Sequence, residues 1–227
     1  MAHHEFSSGD TLARNLANDV AAALGRRLAA DGTAGLVVSG GRTPAAFLRD
    51  LASRELSWSN VTVTLADERR VPADDPASNL RLVREAFANS PASQATIVDI
   101  DPTATHAAAR WSDALARIPR PFAAVVLGMG EDGHFASLFP GMPGLASALD
   151  LFATSYVVDG IAPVGPRARL SLTLPILLDT DLLVLHVTGD AKLATLQRAS
   201  RPGSPLELPV RALLEQRRVP LEIYHAP

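Results

Sequence analysis

Residues 122–134 read Phe-Ala-Ala-Val-Val-Leu-Gly-Met-Gly-Glu-Asp-Gly-His, a short apolar run that ends in a glycine-rich loop. The apolar run is too short for a typical helix and does not alternate with polar residues, so it predicts a strand over 122–127 that is buried on both faces. Similar runs occupy 35–38, 61–65 and 182–187, and 221–224 predicts a last strand. Buried strands therefore recur along the whole chain.

Helical periodicity fills the stretches between these strands. An apolar residue recurs at every fourth position from 12 to 28, which predicts a helix over about 10–30. Further helices are predicted from about Thr43, over 78–87 with Ser78 as N-cap, and over about 190–199. Apolar strands that alternate with helices favour an α/β fold with a parallel sheet covered on both faces.

Length and composition exclude several classes of protein. The chain has 227 residues, which predicts one domain over 1–227, and it has no cysteine for disulfides or thiolate metal sites. A formal charge of −3 with mixed signs gives no footprint for nucleic acid. No apolar run approaches the ~20 residues of a membrane span, and the N-terminus does not resemble a secretion signal. We therefore expect a soluble, cytoplasmic protein.

Ligands of parallel α/β sheets bind beyond the carboxyl ends of the strands, and polar loops follow the strands here. In the first of them, Gly40, Gly41, Arg42 and Thr43 lead into a predicted helix. Free N–H groups at a helix start favour an anion, so these residues predict a phosphate site, although a plain tight turn remains the alternative.

A charged run, residues 67–70, follows the second strand and is predicted to be a loop. Asp67 lies at the strand end, where a carboxylate can bind sugar hydroxyls. Arg69 returns to the same side and could meet a phosphate or an oxyanion, whereas Glu68 is expected to point away. Arg70 is interpreted as a surface residue.

The loop after the third strand carries the most chemical information. Its glycines, Gly130 and Gly133 among them, allow the backbone to wrap around a small substrate. His134 is a candidate general base, because an imidazole with a reference pKa of ~6.5 can accept a proton near pH 7. Asp132 could orient that ring or contact the substrate. A helix is expected to begin at His134, with Phe135, Leu138 and Phe139 as its apolar face.

Two basic residues extend this candidate site. Lys192 begins the helix after the fourth strand and could bind phosphate as a point charge, and nearly every other basic residue of the chain is arginine. Arg169 could close the site, or with Arg167 it could simply line an edge strand.

The other histidines do not add a metal site. Asp132 and His134 are too few ligands, and no second histidine follows at the expected spacing, so we predict no metal. His186 is interpreted as a core residue with its hydrogen bonds satisfied. His106 and His225 are interpreted as incidental.

Six segments taken together resemble the bacterial 6-phosphogluconolactonase family, and their order and spacing run from about residue 9 to 225. The segment at 127–141 is by far the most specific of them. They are SGGRTP at 39–44, LADERRVP at 65–72, SNLRLVREAF at 78–87, LGMGEDGHFASLFPG at 127–141, RLSLTLPILL at 169–178 and TGDAK at 188–192.

This resemblance implies a doubly wound, mostly parallel, Rossmann-like sheet related to glucosamine-6-phosphate deaminase. It implies hydrolysis of 6-phospho-D-glucono-1,5-lactone to 6-phosphogluconate, the second step of the oxidative pentose phosphate pathway, without metal or organic cofactor. The general base of the family matches His134 and its acidic partner Asp132. Substrate-binding residues match Asp67, Arg69, Arg169 and Lys192.

Two rival functions belong to related scaffolds. The deaminases carry Asn-Glu-Pro shortly after the loop histidine, where this chain has Leu138-Phe139-Pro140, so their catalytic set is incomplete here. A sugar-phosphate sensor of the transcription-regulator type would need a DNA-binding helix pair, and the eight or so residues before the first predicted helix leave no room for one. A sensor that acts through a partner chain is the remaining alternative, and the Asp132-Gly-His134 loop argues against it. We expect a monomer or homodimer that acts on a small sugar phosphate.

Overall fold

The computed structural model describes residues 1–41 and 43–227, so Arg42 of the predicted phosphate loop lies outside the described residues. The described residues form eight α-helices and ten β-strands, with short 3₁₀ turns at Trp58–Asn60 and Pro91–Gln94. The helices are α1 (Gly9–Asp31), α2 (Ala45–Ala52), α3 (Asn79–Phe87), α4 (Ala107–Leu115), α5 (Leu145–Leu149), α6 (Leu174–Leu177), α7 (Asp190–Ala199) and α8 (Val210–Glu215). The strands are β1 (Ala2–Glu5), β2 (Ala34–Val38), β3 (Val61–Leu65), β4 (Asp67–Arg69), β5 (Thr96–Ile97), β6 (Ala124–Gly128), β7 (Val157–Ile161), β8 (Ala168–Leu172), β9 (Leu183–Thr188) and β10 (Leu221–Ala226).

The main sheet has seven parallel strands in the order β1-β10-β9-β6-β2-β3-β5. From β2 the chain builds outward through β3 and β5, and from β6 it builds the other way through β9 and β10. The strand order therefore reverses between β2 and β6, where a doubly wound sheet opens a crevice at the carboxyl ends of its strands. The predicted doubly wound, mostly parallel α/β fold is confirmed.

Helices cover both faces of this sheet. Trp111 of α4 donates a hydrogen bond to Thr64 of β3 at 3.1 Å, and Tyr224 of β10 donates one to Asp19 of α1 at 2.6 Å. The strand register places Thr64 and Tyr224 on opposite faces. Since β2 is buried at every position and β6 at all but its last, both strands read as continuous apolar runs in the sequence.

A second sheet lies beside the first and was not predicted. It is antiparallel, in the order β4-β8-β7. The expectation that residues 67–70 form a charged loop is wrong for Asp67–Arg69, which form β4 and pair with β8. β8 is the central strand of this sheet, so Arg169 does not line an edge. Glu68 does point away from the crevice, but it is fully buried, whereas Arg70 is partly exposed and pairs with Asp159 at 2.7 Å.

The helix expected to begin at His134 does not form. Residues 129–144 are a series of turns and isolated bridges, and the next helix begins at Leu145. Ala136 has φ of 48°, in the left-handed region, which a helix does not tolerate. Phe135, Leu138 and Phe139 are nevertheless buried, so the turns satisfy the same apolar pattern that indicated a helix.

The other predicted elements are present within a few residues. Ser78 caps α3 as predicted, since its Oγ accepts a hydrogen bond from Arg81 N at 3.1 Å. Among the described residues, no helix combines the length and the apolar character needed to cross a membrane.

Candidate active site

A cavity of about 700 Å³ opens at the carboxyl ends of the central strands, between the two sheets. It brings together predicted residues from five separate segments of the chain. Those that line it are Gly40, Gly41, Thr43, Asp67, Arg69, Gly130, Asp132, His134, Arg169 and Lys192. Of the remaining predicted residues, Gly133 does not line the cavity and Arg42 is outside the described residues.

His134 is held by the carboxylate two residues before it. Its Nδ1 lies 2.5 Å from Asp132 Oδ1, which also accepts the backbone N–H of His134 at 3.2 Å. Burial by itself raises the pKa of Asp132, but the hydrogen bond and the charge of His134 outweigh it, so the pKa lies below the ordinary value. Asp132 therefore remains ionised and fixes Nδ1, which leaves Nε2 for proton transfer.

Two further contacts shape the pocket around the imidazole. The ring of Phe139 lies 4.3 Å from that of His134 between centroids, at an angle of 39°. Gly130 passes so close to the imidazole that a Cβ there would overlap both His134 and the Asp132 carboxylate. The histidine is thus enclosed by a carboxylate, an aromatic ring and bare backbone.

The back of the glycine loop is braced by the segment before α8. Gly133 has φ of 79°, its carbonyl accepts a hydrogen bond from Val210 N at 2.8 Å, and Leu208 packs where a side chain would project. Thr195 of α7 donates a hydrogen bond to Glu131 O at 2.8 Å. The position of Gly133 in the structure is therefore a conformational one, on the side of the loop away from the cavity.

Two arginines face the cavity from neighbouring strands of the small sheet. Arg69 of β4 and Arg169 of β8 are direct cross-strand partners. Arg169 is 8% exposed, and its Nε has no hydrogen-bond partner among the described residues. Burial, and then the charge of Arg69, lower the pKa of Arg169 despite opposing contributions from Asp67 and Glu68. Such a pair favours an anion or an oxygen that gains negative charge.

Asp67 and Ser137 form a polar group between the arginines and the loop histidine. Ser137 Oγ donates to Asp67 Oδ2 at 2.6 Å, and Ser137 N donates to Ser171 Oγ at 3.1 Å. Both hydrogen bonds join the loop after β6 to the small sheet. The buried Asp67 carboxylate keeps acceptor capacity toward the cavity, which suits a sugar hydroxyl.

The opposite wall suits a phosphate. Gly41, in the loop before α2, has φ of 103°, and without a side chain it leaves its backbone open to the cavity. Lys192, the only lysine of the chain, has Nζ 3.5 Å from Thr43 Oγ1. Pro44, directly before α2, and Lys192, in the first turn of α7, both line the cavity, so the positive dipole ends of the two helices lie near this wall.

Sequence reasoning missed several lining residues, among them Ser39, Asn79, Ser137 and Phe139. Asn79 and Ser137 reach the cavity through contacts between distant segments, which carry no local signal. His186 corrects another prediction, because it is buried but its Nδ1 lacks a partner among the described residues. His106 and His225 do not line the cavity, and no group of potential metal ligands is found in the described part of the chain.

The chain is similar to proteins of one known family. The model of the glucosamine-6-phosphate isomerases/6-phosphogluconolactonase family matches residues 7–221. A 6-phosphogluconolactonase of Rhizobium meliloti (strain 1021) is 45% identical, over 99% of this chain and 98% of the relative. One of Pseudomonas putida is 43% identical, over 99% of this chain and 92% of the relative.

Solved structures agree with the sequence relatives. The crystal structure of a 6-phosphogluconolactonase from Shewanella baltica OS155 superposes with a TM-score of 0.95 at 36% identity, over 100% of this chain and 98% of the other. With the cavity at the strand ends and a family match that spans nearly the whole sequence, the chain belongs to the glucosamine-6-phosphate isomerase/6-phosphogluconolactonase family.

Proposed function

We propose that this chain is a 6-phosphogluconolactonase, which hydrolyses 6-phospho-D-glucono-1,5-lactone to 6-phospho-D-gluconate in the second step of the oxidative pentose phosphate pathway. The observation that carries the proposal is the 2.5 Å pair of His134 and Asp132 in a cavity that also holds Arg69, Arg169 and Lys192. A lactone hydrolase needs a base, an oxyanion site and a phosphate site, and these residues supply all three. The full-length relatives at 43–45% identity carry that name.

In the proposed mechanism, His134 acts as general base. Nε2 takes a proton from water as the water oxygen bonds to C1 of the lactone. The bond between C1 and the ring oxygen then breaks, and the leaving oxygen receives the proton from His134. General base catalysis of this kind contributes about 10²–10⁴-fold. The geometry supports Asp132 as the residue that orients His134, since its carboxylate occupies Nδ1.

The negative charge that develops on the carbonyl oxygen is stabilised by Arg69, next to Arg169, and by backbone N–H groups of the glycine loops, where Gly130 lies against the histidine. Asp67 accepts a hydrogen bond from a sugar hydroxyl. The phosphate binds opposite this group, on the wall beside the starts of α2 and α7. That wall comprises Gly40, Gly41, Thr43 and Lys192, to which the proposal adds Arg42. Gly133 supports the loop of His134 from the side away from the cavity.

The deaminase alternative finds less support at this site. The place after the loop histidine holds Phe139, whose ring packs on His134, and the deaminase reaction calls for a carboxylate there. A monomeric glucosamine-6-phosphate deaminase shares the fold, with a TM-score of 0.74 at 20% identity. Fold likeness at that identity does not carry the activity.

We also propose the domain organisation, partners and location of the enzyme. One continuous cluster of buried apolar residues supports a single lactonase domain over 1–227. The substrate is a small sugar phosphate, and we propose neither nucleic acid nor membrane as a partner, no cofactor, and a monomer or homodimer. A phosphorylated substrate does not cross a membrane unaided because its charge is costly to desolvate, so a cytoplasmic enzyme fits it.

The first test is the rate at which freshly generated 6-phosphogluconolactone disappears at neutral pH, with and without catalytic amounts of protein. A large enzyme-dependent excess over spontaneous hydrolysis is expected. Equal rates with folded protein contradict the lactonase and direct attention to ammonia release from glucosamine 6-phosphate or to sugar-phosphate binding without turnover.

The second test is His134→Ala, which removes the proposed base. We expect kcat to fall about 10²–10⁴-fold while the thermal unfolding temperature changes little, because His134 lies at the cavity surface. His3→Ala, an exposed histidine in β1, is the matched control and keeps full activity. Full activity in His134→Ala contradicts the assignment of the base.

A further inference from the structure

Asn79 lies in the wall of the active-site cavity, yet the mechanism above gives it no task. It is the first residue of α3 and is 1% exposed. Its Oδ1 accepts a hydrogen bond from Arg69 Nη1, and its Nδ2 donates to Asp67 O at 2.8 Å. Since a guanidinium only donates and a carbonyl only accepts, the orientation of the amide is fixed, and it is directed at Arg69.

Arg69 occupies an electrostatically unfavourable position. Its cross-strand partner is Arg169, and like charges directly opposite one another destabilise a strand pair. Within the described part of the chain, the Arg69 guanidinium donates to two neutral acceptors: Ala77 O at 2.9 Å and the Asn79 amide. A second cavity of about 420 Å³ also borders Arg69 and Arg169, so the side chain has room to swing away from the reacting centre.

A buried carboxylate holds the backbone that carries Asn79. Glu68, fully buried on β4, accepts hydrogen bonds from Asn79 N at 2.8 Å, Leu80 N at 2.7 Å, Arg69 N at 2.7 Å and Ser78 Oγ at 3.1 Å. One carboxylate thus joins the start of α3 to the strand that carries Arg69. Charge-assisted hydrogen bonds of this kind hold both segments in register.

The opposite side of Asn79 is closed by Gly40. A Cβ at Gly40 would overlap the Asn79 side chain, so the amide fits only against a bare backbone. Glu68, Gly40 and Asp67 therefore restrict the Asn79 side chain on three sides. Its remaining partner is Arg69, whose guanidinium the amide oxygen can hold in place.

We propose that Asn79 is a positioning residue that holds the Arg69 guanidinium in the active-site cavity against its repulsion from Arg169. The inference rests on the proposed function, because it assigns Arg69 to the oxyanion of lactone hydrolysis. Asn79 acts through Arg69, so removing Asn79 matters only while Arg69 is present.

A double-mutant cycle tests this dependence. We expect Asn79→Ala to lower kcat/KM for 6-phosphogluconolactone about 10-fold in the wild-type background, the size of one hydrogen bond to a charged group. In the Arg69→Ala background, the same substitution lowers kcat/KM less than about 2-fold. A merely structural role lowers kcat/KM by the same factor in both backgrounds, and that result overturns the inference, as does unchanged activity of Asn79→Ala.

Controls separate this inference from the function itself. Asn15→Ala removes an exposed asparagine of α1 whose Nδ2 donates to Thr11 O at 2.8 Å, and it keeps wild-type kcat/KM. If Asn79→Ala does not fold, Asn79→Ser takes its place in the cycle, because serine keeps a polar group but is too short to reach Arg69. If the wild-type enzyme does not accelerate hydrolysis, the proposed function fails; if it does and the cycle is additive, only the role of Asn79 fails.

Discussion

At the scale of single residues, the site depends on backbone that carries no side chain. We expect Gly130→Ala to lower kcat at least about 10-fold, because the new Cβ overlaps the His134 ring and the Asp132 carboxylate and must displace one of them. Steady-state kinetics with 6-phosphogluconolactone measure the loss, and circular dichroism checks that the fold is retained.

The matched control is Gly25→Ala in the interior of α1. An added Cβ there meets only Leu56 at 4.0 Å, an ordinary contact. Alanine is the better helix former, so unfolding free energy should rise by up to ~1 kcal/mol while kcat is unchanged. Equal kcat for Gly130→Ala and Gly25→Ala would show that the histidine tolerates displacement.

The sequence was sufficient to predict a contact between residues of one loop, but not the contacts between residues of different segments. Asp132 and His134 are two positions apart, so their pairing follows from local geometry. Asn79 follows a recognisable N-cap, Ser78, and reads as an ordinary first helical residue. Its contact with Arg69 depends on how α3 packs against β4, which lies ten residues earlier in the chain. A single sequence does not specify that packing.

At the scale of secondary structure, the start of α3 depends on a carboxylate from another element. Each oxygen of Glu68 accepts two hydrogen bonds, and all four partners are donors. In Glu68→Gln the amide nitrogen faces two of those donors. The Ser78 hydroxyl can turn and accept a hydrogen bond, but a backbone N–H cannot, so at least one buried N–H group is left unpaired. We expect the free energy of unfolding to fall by about 1–3 kcal/mol near pH 7, measured by urea denaturation.

Glu85→Gln on the same helix is the control for that loss. Glu85 is exposed and pairs with Arg81 at 2.7 Å, so its charge contributes little to stability. If both substitutions lower the free energy of unfolding equally, the buried hydrogen bonds of Glu68 contribute no more to stability than the exposed ion pair of Glu85.

Elements with strong periodicity were predictable, and short irregular ones were not. α1 and the four central strands follow from apolar patterns that only one kind of element fits. β4 has three residues, all charged, so nothing in its composition indicates a strand. Phe135, Leu138 and Phe139 are buried at the spacing that a helix would give, although the backbone there forms turns. The apolar pattern therefore predicted which side chains are buried but not the backbone conformation.

At the scale of the whole molecule, one buried histidine couples folding to pH. Burial, and then the charge of Lys192, lower the pKa of His186 to about 4 from 6.5. The unfolded chain therefore binds a proton that the folded protein excludes, and this stabilisation is present above pH 6.5 and is lost as the pH falls toward 4. The loss amounts to about 3 kcal/mol over that window.

We expect His186→Leu to remove this dependence. Urea unfolding at a series of pH values between 4 and 7 should give a flatter curve of unfolding free energy for the variant than for the wild type. His3→Gln, an exposed substitution in β1, should leave the wild-type slope unchanged. Identical slopes for His186→Leu and the wild type would mean that the pKa of His186 does not change on folding.

The division of the active site between two sheets has a consequence for motion. His134 and Asp132 lie in the loop that follows β6 of the main sheet, whereas Arg69 and Arg169 lie in strands of the small antiparallel sheet. A bound sugar phosphate that contacts both groups acts as a removable cross-link. It suppresses local opening of the small sheet, and with it amide hydrogen exchange there, by an amount that grows with ligand concentration. The small sheet therefore opens less often as the concentration of the sugar phosphate rises.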